Sequence, residues 1–291
     1  MLGEVATLVA AVCWALSATI YRTVLVDSGP RTLNIVRSIT VTIYALVLML
    51  WIGGFARIFE LDPVALVYIG VSAFLAMVLG DTLYFLSIRS LGISRSVPLA
   101  YSFPLFLSPM AILFLGEDFS ELIVLGTATV VLSVWLIAGA RSSNEEPTGN
   151  PRRGILFALG TSVCWACAMV FMKLVLANHD PLVMNLVRML IILPVVSAFW
   201  RLPIERLPEP HPSRRRLLMM SLGGLIGIGV GDTLLFIGLH TAQAQVVVPL
   251  AATSPLFAGL FSVILLRERM NKRVAAGILT AVAGVMLLTF P

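Results

Sequence analysis

Apolar residues run in blocks of about twenty along most of the chain, and polar residues gather in the short breaks between them. Ten such blocks can be placed, at roughly 4–26, 33–52, 64–88, 94–115, 122–140, 154–176, 183–200, 217–239, 244–266 and 273–290. A helix crossing a bilayer needs about 20 mostly apolar residues, and in lipid every backbone polar group must be satisfied within the helix. The pattern therefore predicts an all-α integral membrane protein with ten transmembrane helices. Composition points the same way. The chain is 59% hydrophobic and 12% charged, with a mean hydropathy of +0.99, against about 45–50% and about 25% for soluble domains. The first block lacks a basic leader and is long enough to span, so it is expected to be a retained helix rather than a cleaved signal peptide.

The blocks repeat. Cys13-Trp14-Ala15 returns as Cys164-Trp165-Ala166, and Asn34-x-x-Arg37 as Asn185-x-x-Arg188. Gly80-Asp81-Thr82-Leu83 returns as Gly231-Asp232-Thr233-Leu234, and Pro98-Leu99-Ala100 as Pro249-Leu250-Ala251. Glu117 is matched by Glu268 and Gly126 by Gly277, all at one offset of 151. A constant offset across six motifs marks a duplication of five helices plus five: residues 1–139, a polar linker at 140–153, and residues 154–291. Because five is odd, the second half must enter the membrane from the opposite side. The fold expected is thus two inverted five-helix repeats, an architecture that places transport sites near the midplane between the halves.

Ten helices in two halves, with proline-rich fourth and ninth members, resemble the drug/metabolite transporter superfamily and most closely its EamA-type exporters. The stretches VPLAYSFPLFLSPMAILFLGE (97–117) and VPLAATSPLFAGLFSVILLRE (248–268) are similar to the signature of that family. The resemblance covers nearly the whole chain. It implies a secondary transporter in the plasma (inner) membrane that exports small metabolites such as amino acids, or amphipathic drugs, by alternating access, and it leaves the cargo open.

Ionisable groups inside the apolar blocks are the candidate chemistry, since they are costly in lipid and usually face a cavity. Asp81 and Asp232, each between Gly and Thr, are candidates to bind cargo or to load and release a proton as the coupling ion. The alternative is structural, each aspartate tying a helix break to its neighbour. Arg37 and Arg188 share a helix face with Asn34 and Asn185. Each arginine either reaches for the headgroups or holds a carboxylate, of cargo or of an aspartate across the bundle. Trp14 and Trp165 lie mid-helix, away from the interfacial belts, as core filler or as walls of a cavity. The halves also differ: Tyr101 and Ser102 stand against Ala252 and Thr253, Arg89 against His240, and Gly92 and Ser94 against Gln243 and Gln245. Such differences, Tyr101 above all, are candidates for substrate-specific contacts.

Other patterns carry less. Cys164-x-x-Cys167 has a redox spacing but no second pair, so it reads as small packing residues; neither a metal site nor a cofactor is expected. HExxH, GxSxG and Walker A motifs are absent from the sequence, which argues against an intramembrane lipid-modifying enzyme and against a self-contained pump. A non-transporting scaffold or sensor would need larger soluble loops. Net charge is +5, yet sixteen of the twenty Lys and Arg fall in the odd-numbered connections. That bias is a topology signal rather than a nucleic-acid surface, and it puts the termini outside, whereas the resembled family is usually drawn with both termini in the cytoplasm. The expected partners are a small-molecule substrate and the bilayer. The apolar fifth and tenth helices, with Gly126 and Gly277 matched, are candidates for lipid contact or a homodimer.

Overall fold

A computed structural model describes residues 1–25, 30–91, 93–138, 150–199, 212–266 and 272–289. Within them the chain is helical, with no strand. The linker at 140–149, Gly92 and Glu268 lie outside the described residues, as do the side chains of Arg89 and Ser94.

Among the described residues the α-helices group into ten rods. The first half has α1 (Leu2–Leu25), α2 (Pro30–Trp51), a rod made of α3 (Pro63–Ala73) and α4 (Asp81–Leu91), a rod made of α5 (Ile93–Ala100) and α6 (Phe103–Leu115), and α7 (Glu121–Ala138). The second half has α8 (Pro151–Leu176), α9 (Pro181–Phe199), α10 (Arg214–Gly224) with α11 (Thr233–Thr241), α12 (Ala244–Ala251) with α13 (Ser254–Leu266), and α14 (Lys272–Thr289). Eight rods are long and apolar enough to cross a membrane, and two shorter apolar helices, Glu121–Ile137 and Ala275–Thr289, complete a set consistent with ten spans.

The same irregularities occur in both halves. The third and eighth rods widen into π turns, Phe74–Gly80 and Leu225–Asp232, without breaking. Where the sequence suggests a helix break at Gly-Asp, the backbone keeps its course and only its turn expands. Wide turns of this kind displace carbonyls from the regular ladder and are frequent at functional sites. The fourth and ninth rods do break, at Tyr101-Ser102 and Ala252-Thr253. Pro104 causes this in the first case: it has no N–H and sits in the first turn of α6, where none is needed. The carbonyls left at the end of α5 are taken up from the other half, where the Ser162 hydroxyl on α8 donates to Leu99 O at 2.6 Å and to Ala100 O at 2.9 Å.

Further cross-half bonds gather at one end of the bundle. Glu117, just past α6, accepts from Ala244 N at 2.5 Å and from Gln245 N at 3.0 Å, and so caps α12. At the same end, but within the second half, the Lys173 ammonium donates to the Leu239 and Ala242 carbonyls that end α11. Arg57 pairs with Asp180 at 2.7 Å. The fifth and tenth rods, α7 and α14, pack on each other. A Cβ on Gly126 would stand 2.9 Å from Leu288 Cγ, and one on Gly277 would stand 3.1 Å from Ser133 O. The matched glycines thus serve a close helix contact inside the chain, as small residues do in membranes.

Candidate functional site

The two π turns deliver Asp81 and Asp232 to the middle of the bundle, and each meets the arginine of its own half. In the second half the assembly is tight. Arg188 Nη1 donates to Asp232 Oδ2 at 2.7 Å, and Trp14 Nε1, from the first helix of the other half, donates to Asp232 Oδ1 at 2.8 Å. The Arg188 guanidinium also stands over the Phe236 ring, 5.4 Å from its centroid. Asn185, one turn before Arg188, donates to Ile228 O at 3.1 Å, to Gly229 O at 3.3 Å and to Thr233 Oγ1 at 2.8 Å. Those carbonyls belong to the π turn. Asn185 therefore satisfies backbone groups that lipid could not, which explains why an amide sits three residues from the arginine. Both carboxylate oxygens have a donor, as a buried carboxylate requires.

The first half is looser. Arg37 Nη2 lies 3.6 Å from Asp81 Oδ2, beyond direct hydrogen-bond distance but within ion-pair range. The side chains of Arg37 and Asp81 are 17% and 26% exposed, against 7% and 10% for Arg188 and Asp232. Thr82 donates to Val78 O at 2.5 Å, and Thr161 of α8 donates to Gly80 O at 3.3 Å. Asn34 is half-buried one turn before Arg37.

The tryptophans link the halves reciprocally. A Cβ on Gly231 would stand 3.0 Å from Trp14 Cδ1, and one on Gly80 would stand 2.8 Å from Trp165 Cδ1 and Nε1. Each Gly-Asp pair is thus roofed by the tryptophan of the opposite half, and glycine precedes the aspartate because the indole needs the room. Trp165 is surrounded: the Tyr84, Tyr101 and Phe103 rings lie 5.4, 5.7 and 5.8 Å away, centroid to centroid. Asp81 and Asp232 also lie within electrostatic reach of each other and of both arginines.

The structure thus brings Trp14, Asn185, Arg188 and Asp232 together, and sets Arg37 and Asp81 beside Trp165 and Tyr101. Neither arginine turns out to a headgroup, and each pairs within its own half rather than across the bundle. His240 is exposed, its ring bonded to the Leu176 carbonyl. Cys13, Cys164 and Cys167 are unpaired thiols. Among the described residues no group of three or more His, Cys, Asp or Glu side chains could hold a metal ion. Sequence reasoning misses Tyr84 and Phe103, although the repeat offset carries a signal for both: their counterparts are Leu235 and Ser254. It notes Glu117 as part of the repeat but does not foresee its cap across the halves.

A model of the EamA-like transporter family matches residues 1–139 and again 152–290. The chain belongs to that family, which makes it a multi-pass membrane protein of a transporter family. An uncharacterized transporter of Archaeoglobus fulgidus is 26% identical over 291 residues, covering 100% of this chain and 99% of its own. A second from that organism is 29% identical over 48% of this chain and 46% of its own, and one from Bacillus subtilis is 26% identical over 64% and 59%. A crystal structure 16% identical to the chain superposes with a TM-score of 0.83, over 99% of this chain and 96% of that one. At that identity the likeness speaks for the fold.

Proposed function

We propose that the protein is a secondary transporter of the plasma (inner) membrane that exports small organic solutes, amino acids or amphipathic drugs, by alternating access. The halves, 1–139 and 154–291 with a linker between them, act as an inverted pair. The observation that carries this reading is the pair of carboxylate–guanidinium contacts at the two π turns, each roofed by a tryptophan from the opposite half. A site assembled from both halves changes its accessibility when the halves rock. Charges kept inside an apolar bundle mark a solute or proton path more often than a scaffold. Asp81, in the looser pair, is the candidate proton carrier and thus the link to a pH gradient.

The test is counterflow into proteoliposomes preloaded with unlabelled amino acids or amphipathic cations. Labelled solute of the same kind should accumulate transiently, and empty liposomes should show none. No accumulation with any preload would remove the transport reading in favour of a scaffold or sensor.

A further inference from the structure

The duplicated site is unequal in ways that point to its ligand. Asp232 is enclosed by Arg188 and Trp14 on short bonds, and Asn185 locks the wide turn beneath it. Asp81 faces its arginine at 3.6 Å, keeps more exposed surface, and lies within reach of Trp165, Tyr84 and Tyr101, with the Phe103 ring packed against Trp165. Apart from the tryptophan, those rings have no aromatic counterpart in the other copy. At the repeat offset Tyr84 becomes Leu235, Tyr101 becomes Ala252 and Phe103 becomes Ser254, so only the tryptophan is shared. Duplication explains why there are two aspartates, but it does not explain why the rings cluster at one of them.

We propose that the two copies have divided their work. The Arg188–Asp232 pair is a fixed brace, and Asp81 with Tyr84, Tyr101 and Trp165 is the cargo site for a solute with an ammonium head on an aromatic or apolar body. The inference rests on the transporter reading and names its substrate class. A carboxylate beside aromatic faces is the chemistry that takes an organic cation, through a charge-assisted hydrogen bond and the ring quadrupoles. Both tyrosines lie within electrostatic reach of Asp81. The long Arg37 contact balances the Asp81 charge without consuming its hydrogen-bonding capacity, so an ammonium group can displace or join it. Arg37, whose Nε has no partner among the described residues, is placed to take a carboxylate if the solute carries one.

The test is binding, measured by tryptophan fluorescence and thermal shift on the purified full chain in detergent, with three probes: phenethylamine, phenylalanine and phenylacetate. The amine and the amino acid should bind, and phenylacetate should bind at least 10-fold more weakly. Phenylalanine tighter than phenethylamine would assign its carboxylate to Arg37; the reverse would make the cargo a simple amine. Asp81→Asn should weaken binding of the amine at least 10-fold. Tyr84→Leu and Tyr101→Ala, which install the residues of the other half, should each weaken it several-fold in protein that still unfolds in one transition, at a lower Tm because each leaves space against Trp165. Asp232→Asn should show itself without any probe, as a drop in Tm larger than that of Asp81→Asn. The proposal is overturned if phenylacetate binds as well as the amine, if no ammonium probe binds, or if Asp81→Asn keeps full affinity. It is equally overturned if the Tm order of the two aspartate variants is reversed. Because no step is scored by transport, a chain that binds but fails counterflow loses the transport reading and keeps only the ammonium-binding site at Asp81. A chain that passes counterflow but binds no ammonium probe does the opposite.

Discussion

Gly80 shows how the apolar pattern and the site depend on single positions. A Cβ there would meet Leu75 O at 2.7 Å and the Trp165 indole at 2.8 Å, and neither can easily give way. Gly80→Ala is expected to cost about 1–3 kcal/mol, the usual range for overpacking a well-filled site. Gly70, in α3 ahead of the π turn, has nothing within 4 Å of a built Cβ, so Gly70→Ala should be neutral or stabilise by up to about 1 kcal/mol. Thermal unfolding of the two variants checks this pair, and an equal loss at both positions would contradict it. The repeated Gly-Asp, Asn-x-x-Arg and Trp were legible in the sequence because they are rare polar or bulky residues in apolar blocks. Their partnership was not. Sequence spacing shows that Asn185 and Arg188 share a helix face, but which carbonyls or carboxylates that face meets depends on tertiary packing. The π turn that explains the asparagine leaves no mark in hydropathy.

At the scale of elements, the broken and widened rods depend on caps supplied by the other half. Glu117 holds both leading N–H groups of α12, while Ser162 holds the last carbonyls of α5. Glu117→Ala leaves those donors in an apolar setting and should lower stability by about 1–3 kcal/mol, the cost of stranding buried hydrogen-bonding groups. Glu117→Gln, which keeps one acceptor oxygen, should lose less. Denaturation of both variants decides it, and an unchanged Glu117→Ala would show that water or the chain replaces the cap. The ten rods themselves could be read from block length, with bounds within a few residues of those observed. The site of the break in the fourth rod could not. Pro98, Pro104 and Pro109 all offer kinks, and only Pro104 falls where a new helix begins.

At the scale of the molecule, the two halves meet through reciprocal contacts, tryptophan onto Gly-Asp in both directions, and through caps at one end. If the halves rock as proposed, the 2.7 Å Arg188–Asp232 pair serves as the fixed contact and the 3.6 Å Arg37–Asp81 pair as the adjustable one. The adjustable contact is Asp81. The direct measurement is accumulation of a counterflow-competent solute in proteoliposomes under an imposed pH gradient, wild type against Asp81→Asn, with the Tm of both recorded. The account predicts that the variant remains folded, with a Tm within a few degrees of wild type, and loses gradient-driven accumulation. Full gradient-driven accumulation by a folded Asp81→Asn protein would contradict it.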